Sequence, residues 1–202
     1  VQVKICGLTR PTDAERAVEL GATHLGCVLV EGTPRAVTPE VAREVLRGRG
    51  AQAVLVLRDP TIEECLAKVD AARIPCVQLH DYREEVAAAL ESAGVRVHRV
   101  LDAGAREAPR CAALLATGSG PVHLDVGGGG SGRPFDWAAL AGLDLRDVFV
   151  AGGITPDNVS GLLAYSPWGI DVSSGVESSP GIKDHRRLAA LFTAVTEGED
   201  VS

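Results

Sequence analysis

Eight short β-branched runs, each followed by an amphipathic stretch of helical length, predict an α/β fold: a single-domain (β/α)8 TIM barrel over residues 1–202. Composition points the same way, because 46% of the 202 residues are apolar and only 3% aromatic, which suits parallel strands buried on both faces. No linker-like or long polar run interrupts the units, so a second domain has no place to begin. Roughly 200 residues is the lower limit of this fold, so the loops must be short.

The first strand, 2–6, alternates Val3 and Ile5 with Lys4 and Cys6, and Thr12-x-x-Glu15 reads as a capping box opening a helix over 12–20. The run 24–30 gives the second strand, and Thr38-Pro39 caps a helix over 39–47. Strand 52–57 follows, with Asp59-Pro60 heading a helix over 61–72. Strands 76–79 and 95–101 precede helices near 83–93 and 106–116. The sixth strand, 122–126, leads to a helix near 136–142; the seventh, 148–151, to a helix over 156–165 behind Thr155-Pro156. Strand 169–173 and helix 184–197 complete the set, and the tail 197–202 reads as solvated.

Charge and cysteine usage narrow the function. A net charge of −7 repels phosphate backbones and anionic lipid headgroups, so neither nucleic acid nor a membrane surface is an expected partner. The longest apolar runs, such as 25–30 and 53–57, fall far short of the roughly 20 residues that span a bilayer. No cationic, apolar leader is visible, which makes the cytoplasm the expected location. Cys6, Cys27, Cys65, Cys76 and Cys111 show no C-x-x-C spacing and read as reduced thiols. His24 and Cys27 point to opposite faces of one strand, so no metal is implied. Monomer and homodimer both remain open.

Chemistry in such barrels sits at the carboxyl ends of the strands. Parity sends Lys4, Cys6, His123, Asp125, Asp171 and Ser173 toward the barrel axis. A buried lysine needs a counter-charge, so Lys4 is expected beside Asp125 or Asp171. A structural ion pair with an inert thiol is the alternative to a catalytic group. After the seventh and eighth strands, Ala151-Gly152-Gly153-Ile154 and Ser173-Ser174-Gly175-Val176 present backbone amides where this fold binds phosphate, which singles out Gly153, Ser174 and Gly175. Gly127, Gly129 and Gly132 spell G-x-G-x-x-G, but they come too late for a dinucleotide half-sheet and Arg133-Pro134 follows; a mobile loop over the site is expected.

Several linked stretches resemble one family: Lys4-Ile5-Cys6-Gly7-Leu8-Thr9, Gly32-Thr33-Pro34-Arg35, Val77-Gln78-Leu79-His80, Gly129-Gly130-Ser131-Gly132 leading to Phe135-Asp136-Trp137, Ala151-Gly152-Gly153-Ile154-x-Pro156-x-Asn158-Val159, and Asp171-Val172-Ser173-Ser174-Gly175-Val176-Glu177. In order and spacing they are similar to the phosphoribosylanthranilate isomerases of tryptophan biosynthesis, and the likeness runs on to Pro180-Gly181-Ile182-Lys183-Asp184. It departs where the family often has phenylalanine near the end of the second strand and in the third, here Gly26-Cys27-Val28-Leu29 and Val54-Leu55-Val56-Leu57, and where Asp81 replaces the glycine of Q-L-H-G.

The resemblance implies a (β/α)8 barrel that converts N-(5-phosphoribosyl)anthranilate to its 1-deoxyribulose isomer by an Amadori rearrangement, without a cofactor. It implies Cys6 as general base, Asp125 as general acid, Arg35 on the anthranilate carboxylate and the glycine turns on the phosphate. Asp171 joins the substrate-binding set. The chemistry asks for a protonated Asp125 and for Cys6 as thiolate; a nearby Lys4 favours the thiolate but opposes protonation of Asp125, a conflict that Asp171 relieves by taking Lys4 as its own partner. Another phosphosugar barrel, or a non-catalytic phosphate-binding barrel, is the alternative.

Overall fold

In a computed structural model, which describes residues 1–102, 120–125 and 137–199, eight strands close into a parallel barrel in sequence order. They are β1 (Gln2–Ile5), β2 (His24–Val28), β3 (Gln52–Arg58), β4 (Cys76–His80), β5 (Arg96–Asp102), β6 (Val122–Asp125), β7 (Val148–Ala151) and β8 (Gly169–Val172). β1 pairs with both β2 and β8, which closes the ring, and the register sets Lys4 against Asp171 on one side and His24 on the other. An antiparallel hairpin of β9 (Glu177–Ser179) and β10 (Ile182–Lys183) follows the last barrel strand.

The described helices are α1 (Pro11–Glu19), α2 (Pro39–Leu46), α3 (Ile62–Ala72), α4 (Glu84–Ser92), α5 (Val159–Leu163) and α6 (His185–Glu199). Strand parity divides the buried residues as expected. Val3, Ile5, Leu25, Leu55, Leu79, Leu124 and Ile170 pack outward against the helices, each full burial of such a side chain contributing about 1.5–3 kcal/mol. Inside the barrel are Lys4, His24, Gln78, His98, His123 and Phe149, a more polar filling than the branched aliphatics usual in this fold.

Helix starts differ from the sequence reading in three places. α1 begins at Pro11 with Thr12 inside it, and no side-chain cap; Arg10 instead grips Asp13 one turn on, at 2.8 and 3.0 Å. Asp13 is buried and also accepts from the Lys183 amide and His185, tying α1 to β10 and α6. α3 is capped by Thr61, in a full capping box with Glu64, rather than by Asp59; Asp59 takes a left-handed turn at φ 40° that carries the chain off β3. Thr155-Pro156 heads a turn, its Thr155 amide donating to Asn158, and α5 starts only at Val159. Trp137–Leu140 forms a 3-10 turn where a helix over 136–142 was expected. The expected helix over 106–116, Cys111 and the Gly127–Gly132 loop lie outside the described residues. Among those residues no helix is long and apolar enough to cross a membrane.

Candidate active site

At the carboxyl end of the barrel a cavity of about 380 Å³ opens over the strand ends. Cys6, Arg35, Asp125, Gly153, Asp171, Ser174 and Gly175, all seven residues singled out from the sequence, line it together. β1 and β6 deliver Cys6 and Asp125 from nearly opposite sides of the ring, since three strand steps separate them.

Beneath the cavity Lys4 is fully buried and donates to the Asp171 carboxylate at 2.7 Å and to the Gln78 side-chain oxygen. That settles which carboxylate takes the lysine. Burial works against the ammonium, but the Asp171 charge overcomes it and Lys4 stays protonated above its ordinary range. Burial likewise raises Asp171, and Lys4 together with the His123 ring N–H outweighs it, holding the carboxylate well below the usual range. Only one Asp171 oxygen is used in this way. Its Oδ1 meets no hydrogen-bond partner among the described residues, a buried acceptor beside the cavity.

Cys6 departs from the sequence expectation. Burial pushes its thiol up, Lys4 pulls it down, Asp171 pushes it up and Lys183 pulls it down, and burial wins. The resting group is therefore a neutral thiol whose deprotonation Lys4 eases without completing. His80, at the end of β4, is kept neutral by burial although the Asp125 charge acts the other way, and it accepts from the Gln78 amide at 3.3 Å.

Arg35 reaches the cavity over Gly7. At φ +72° Gly7 lacks the side chain that would collide with Arg35, since a Cβ there would stand 2.7 Å from Arg35 Cδ. The guanidinium donates through Nε and Nη2 to both oxygens of Glu177, the shortest contact being 2.6 Å. Glu177 is itself held by the buried Lys183 ammonium at 2.8 Å and by the Gly181 amide at 3.2 Å. Sequence reasoning missed this Glu177–Lys183 clamp; both residues stood within the family-like stretches, flanking the Pro180-Gly181 turn that folds β9 onto β10.

The two glycine turns press together. A Cβ on Gly175 would fall 1.8 Å from the carbonyl oxygen of Ile154, so only glycine lets the segment after β8 meet the turn after β7. Gly152 and Gly153 take φ 102° and 66°, and Asn158 donates back to the Gly153 carbonyl at 2.9 Å, pinning that turn. Among the described residues no group of three or more His, Cys, Asp or Glu is arranged to hold a metal ion.

Fold and site together define a class: a (β/α)8 barrel with a thiol, carboxylates, an oriented arginine and glycine turns gathered at the carboxyl ends of its strands. The family described as N-(5'phosphoribosyl)anthranilate (PRA) isomerase matches residues 3–194, and the chain belongs to it. Its relatives include the tryptophan biosynthesis protein TrpCF of Salmonella typhi, 37% identical over 198 residues, which cover 94% of this chain and 42% of that protein. The chain thus spans about two fifths of the length of that relative. The N-(5'-phosphoribosyl)anthranilate isomerase of Deinococcus radiodurans is 36% identical over 200 residues and 96% of each chain. Among solved structures, the phosphoribosyl anthranilate isomerase of Thermus thermophilus aligns with a TM-score of 0.84 at 33% identity, covering 98% of this chain and 99% of that one. A phosphoribosyl anthranilate isomerase in complex with reduced 1-(o-carboxyphenylamino)-1-deoxyribulose 5-phosphate aligns with a TM-score of 0.82 at 28% identity, over 98% and 99% of the two chains.

Proposed function

We propose that the protein isomerises N-(5-phosphoribosyl)anthranilate to 1-(2-carboxyphenylamino)-1-deoxyribulose 5-phosphate by general acid–base catalysis, a step of tryptophan biosynthesis. The observation that carries this reading is the meeting of Cys6, Asp125, Arg35 and both glycine turns around one cavity. Asp125 protonates the furanose ring oxygen, the anthranilate nitrogen supplies the electron pair, and the ring opens to an iminium. Cys6, on the far side of the sugar, then removes the C2 proton to give the enolamine, which tautomerises to the ketose.

Binding follows the charges. The substrate phosphate takes the backbone amides of Gly153, Ser174 and Gly175. Glu177 occupies the side edge of the Arg35 guanidinium, so the anthranilate carboxylate meets its end-on edge, Nη1 with Nη2, which still offers two parallel donors. The unpartnered Oδ1 of Asp171 accepts a ribose hydroxyl. No cofactor enters these steps.

The barrel acts as one domain over residues 1–202, as monomer or homodimer. Free, buried Cys6, Cys27, Cys65 and Cys76 support a reducing cytoplasmic setting. Turnover of fluorescent phosphoribosylanthranilate tests the proposal: anthranilate fluorescence should decay catalytically with purified protein. A folded protein that binds this compound without consuming it would leave a phosphate-binding barrel instead.

A further inference from the structure

At the opposite end of the barrel a second cavity, of about 530 Å³, lies where α2 runs into β3 and α3 into β4. Five arginines line it: Arg43 and Arg47 at the end of α2, Arg49 just beyond, Arg73 at the left-handed cap of α3, and Arg96 at the start of β5. No aspartate or glutamate is among its lining residues. Five of the chain's 20 lysines and arginines thus surround one cavity in a protein of net charge −7.

Ordinary structural roles account for part of this charge only. A helix C-terminus carries roughly half a negative elementary charge, so α2 and α3 together offset about one arginine. Glu15 takes Arg49 at 2.7 Å and offsets another. Arg96 donates to a neutral acceptor, the Gln52 side-chain oxygen, at 3.4 Å. Arg43, Arg47 and Arg73 have no ion pair among the described residues. Roughly three positive charges are left lining one cavity with no ion pair among the described residues, a local positive potential that an anion entering the cavity would meet.

The shape selects the anion. Guanidinium groups match phosphate oxygens in pairs, and a cavity of this size falls within the range of small-molecule sites, whereas nucleic acid needs a basic stripe on a chain that does not repel it. We propose that this cavity is a binding site for a small molecule carrying at least two phosphate groups, separate from the candidate active site. It needs no part of the isomerase reading.

Arginine modification by phenylglyoxal, mapped peptide by peptide with inorganic pyrophosphate as probe, tests the site. Saturating pyrophosphate should slow modification of Arg47, Arg73 and Arg96 by about fivefold or more. Arg83 and Arg186, exposed at the other end of the barrel, should be unaffected. Protection of all exposed arginines alike, or equal protection by sodium chloride of matched ionic strength, would mean charge screening only and overturn the site. In Arg43→Ser/Arg73→Ser the protection of Arg47 and Arg96 should vanish while kcat and KM for phosphoribosylanthranilate stay unchanged; the exposed single variant Arg47→Ser serves if the double variant melts early. Protection that survives both variants places the anion elsewhere and ends the proposal.

Discussion

The upper and lower halves of the barrel interior are both filled with titratable side chains, and they treat charge in opposite ways. In the lower half His24, His98 and His123 pack around Phe149, with His123 stacked on it at 4.6 Å and His24 edge-on at 5.0 Å between ring centroids. Burial holds all three imidazoles below their ordinary range, His24 and His123 to about 4. In the upper half Lys4 and Asp171 keep full charges in equal burial, because each stands 2.7 Å from the other. Burial removes charge unless a counter-charge is in contact. The barrel interior thereby confines its charge to the layer under the carboxyl-end cavity.

One hydrogen-bonded line joins the halves. A neutral His123 donates from Nδ1 to Asp171 at 3.1 Å, so its Nε2 must accept from His98 Nδ1, also at 3.1 Å, and His98 Nε2 accepts from the Gln52 amide at 3.3 Å. His98 and His123 are each fixed in one tautomer, and the chain of donors ends on the carboxylate that holds Lys4.

The largest expected effect breaks the upper layer at its reactive groups. Cys6→Ala and Asp125→Asn should each lower kcat by roughly 10²–10⁴-fold, with KM within several-fold and melting near that of the parent. Ring opening needs a protonated Asp125 and C2 deprotonation needs the Cys6 thiolate, which burial disfavours, so kcat should pass through a maximum with pH rather than climb steadily. Should either folded variant keep most of its kcat, proton transfer belongs to another group, with His80 the next to test.

The halves separate more directly under unfolding. Lys4→Met leaves Asp171 as an unpaired buried carboxylate and should destabilise by about 3–5 kcal/mol in urea titration. His98→Phe removes a neutral ring of similar shape among aromatic neighbours and should cost about 1 kcal/mol, the net worth of its hydrogen bonds. Equal losses would mean that the paired charges are no more demanding than the neutral imidazoles.

Parity made the upper layer legible from the sequence, because alternate residues along β1, β6 and β8 send Lys4, Cys6, His123, Asp125 and Asp171 inward whatever the fold detail. The same rule missed the thiol's neutral state, which depends on how completely the barrel closes over Cys6, a tertiary quantity. Helix starts were misread where two capping residues compete: Asp59-Pro60 looks like a cap, yet Thr61 with Glu64 satisfies two amides at once and wins. The Glu177–Lys183 clamp had no periodic signal, since it rests on a seven-residue hairpin folding over Arg35 from 142 positions away.

That clamp sets the next effect in size. Glu177→Gln keeps the shape but gives up the charge that orients Arg35, so KM for phosphoribosylanthranilate should rise about tenfold, roughly 1.4 kcal/mol, with kcat within a few-fold. Steady-state kinetics on the two constants decide it; a fall confined to kcat would make Glu177 part of the chemistry rather than the support of an anion-binding arginine.

The smallest expected effect isolates the lower layer by pH. Its imidazoles are neutral when folded, while in the unfolded chain they take up protons near pH 6.5. Folded values are depressed, so the stability tied to them is complete above about pH 6.5 and is lost as pH falls from there toward about 4. Removing one such group removes one proton taken up on unfolding. His98→Phe should therefore lose about 1 kcal/mol less stability than the parent between pH 7.5 and 5.5, measured as the difference of two urea titrations so that its fixed cost at neutral pH cancels. Carboxylates titrate lower and act equally on both proteins. Parallel loss in the two would show that His98 already carries its proton inside the barrel, and the division between a neutral lower half and a charged upper half would have to be withdrawn.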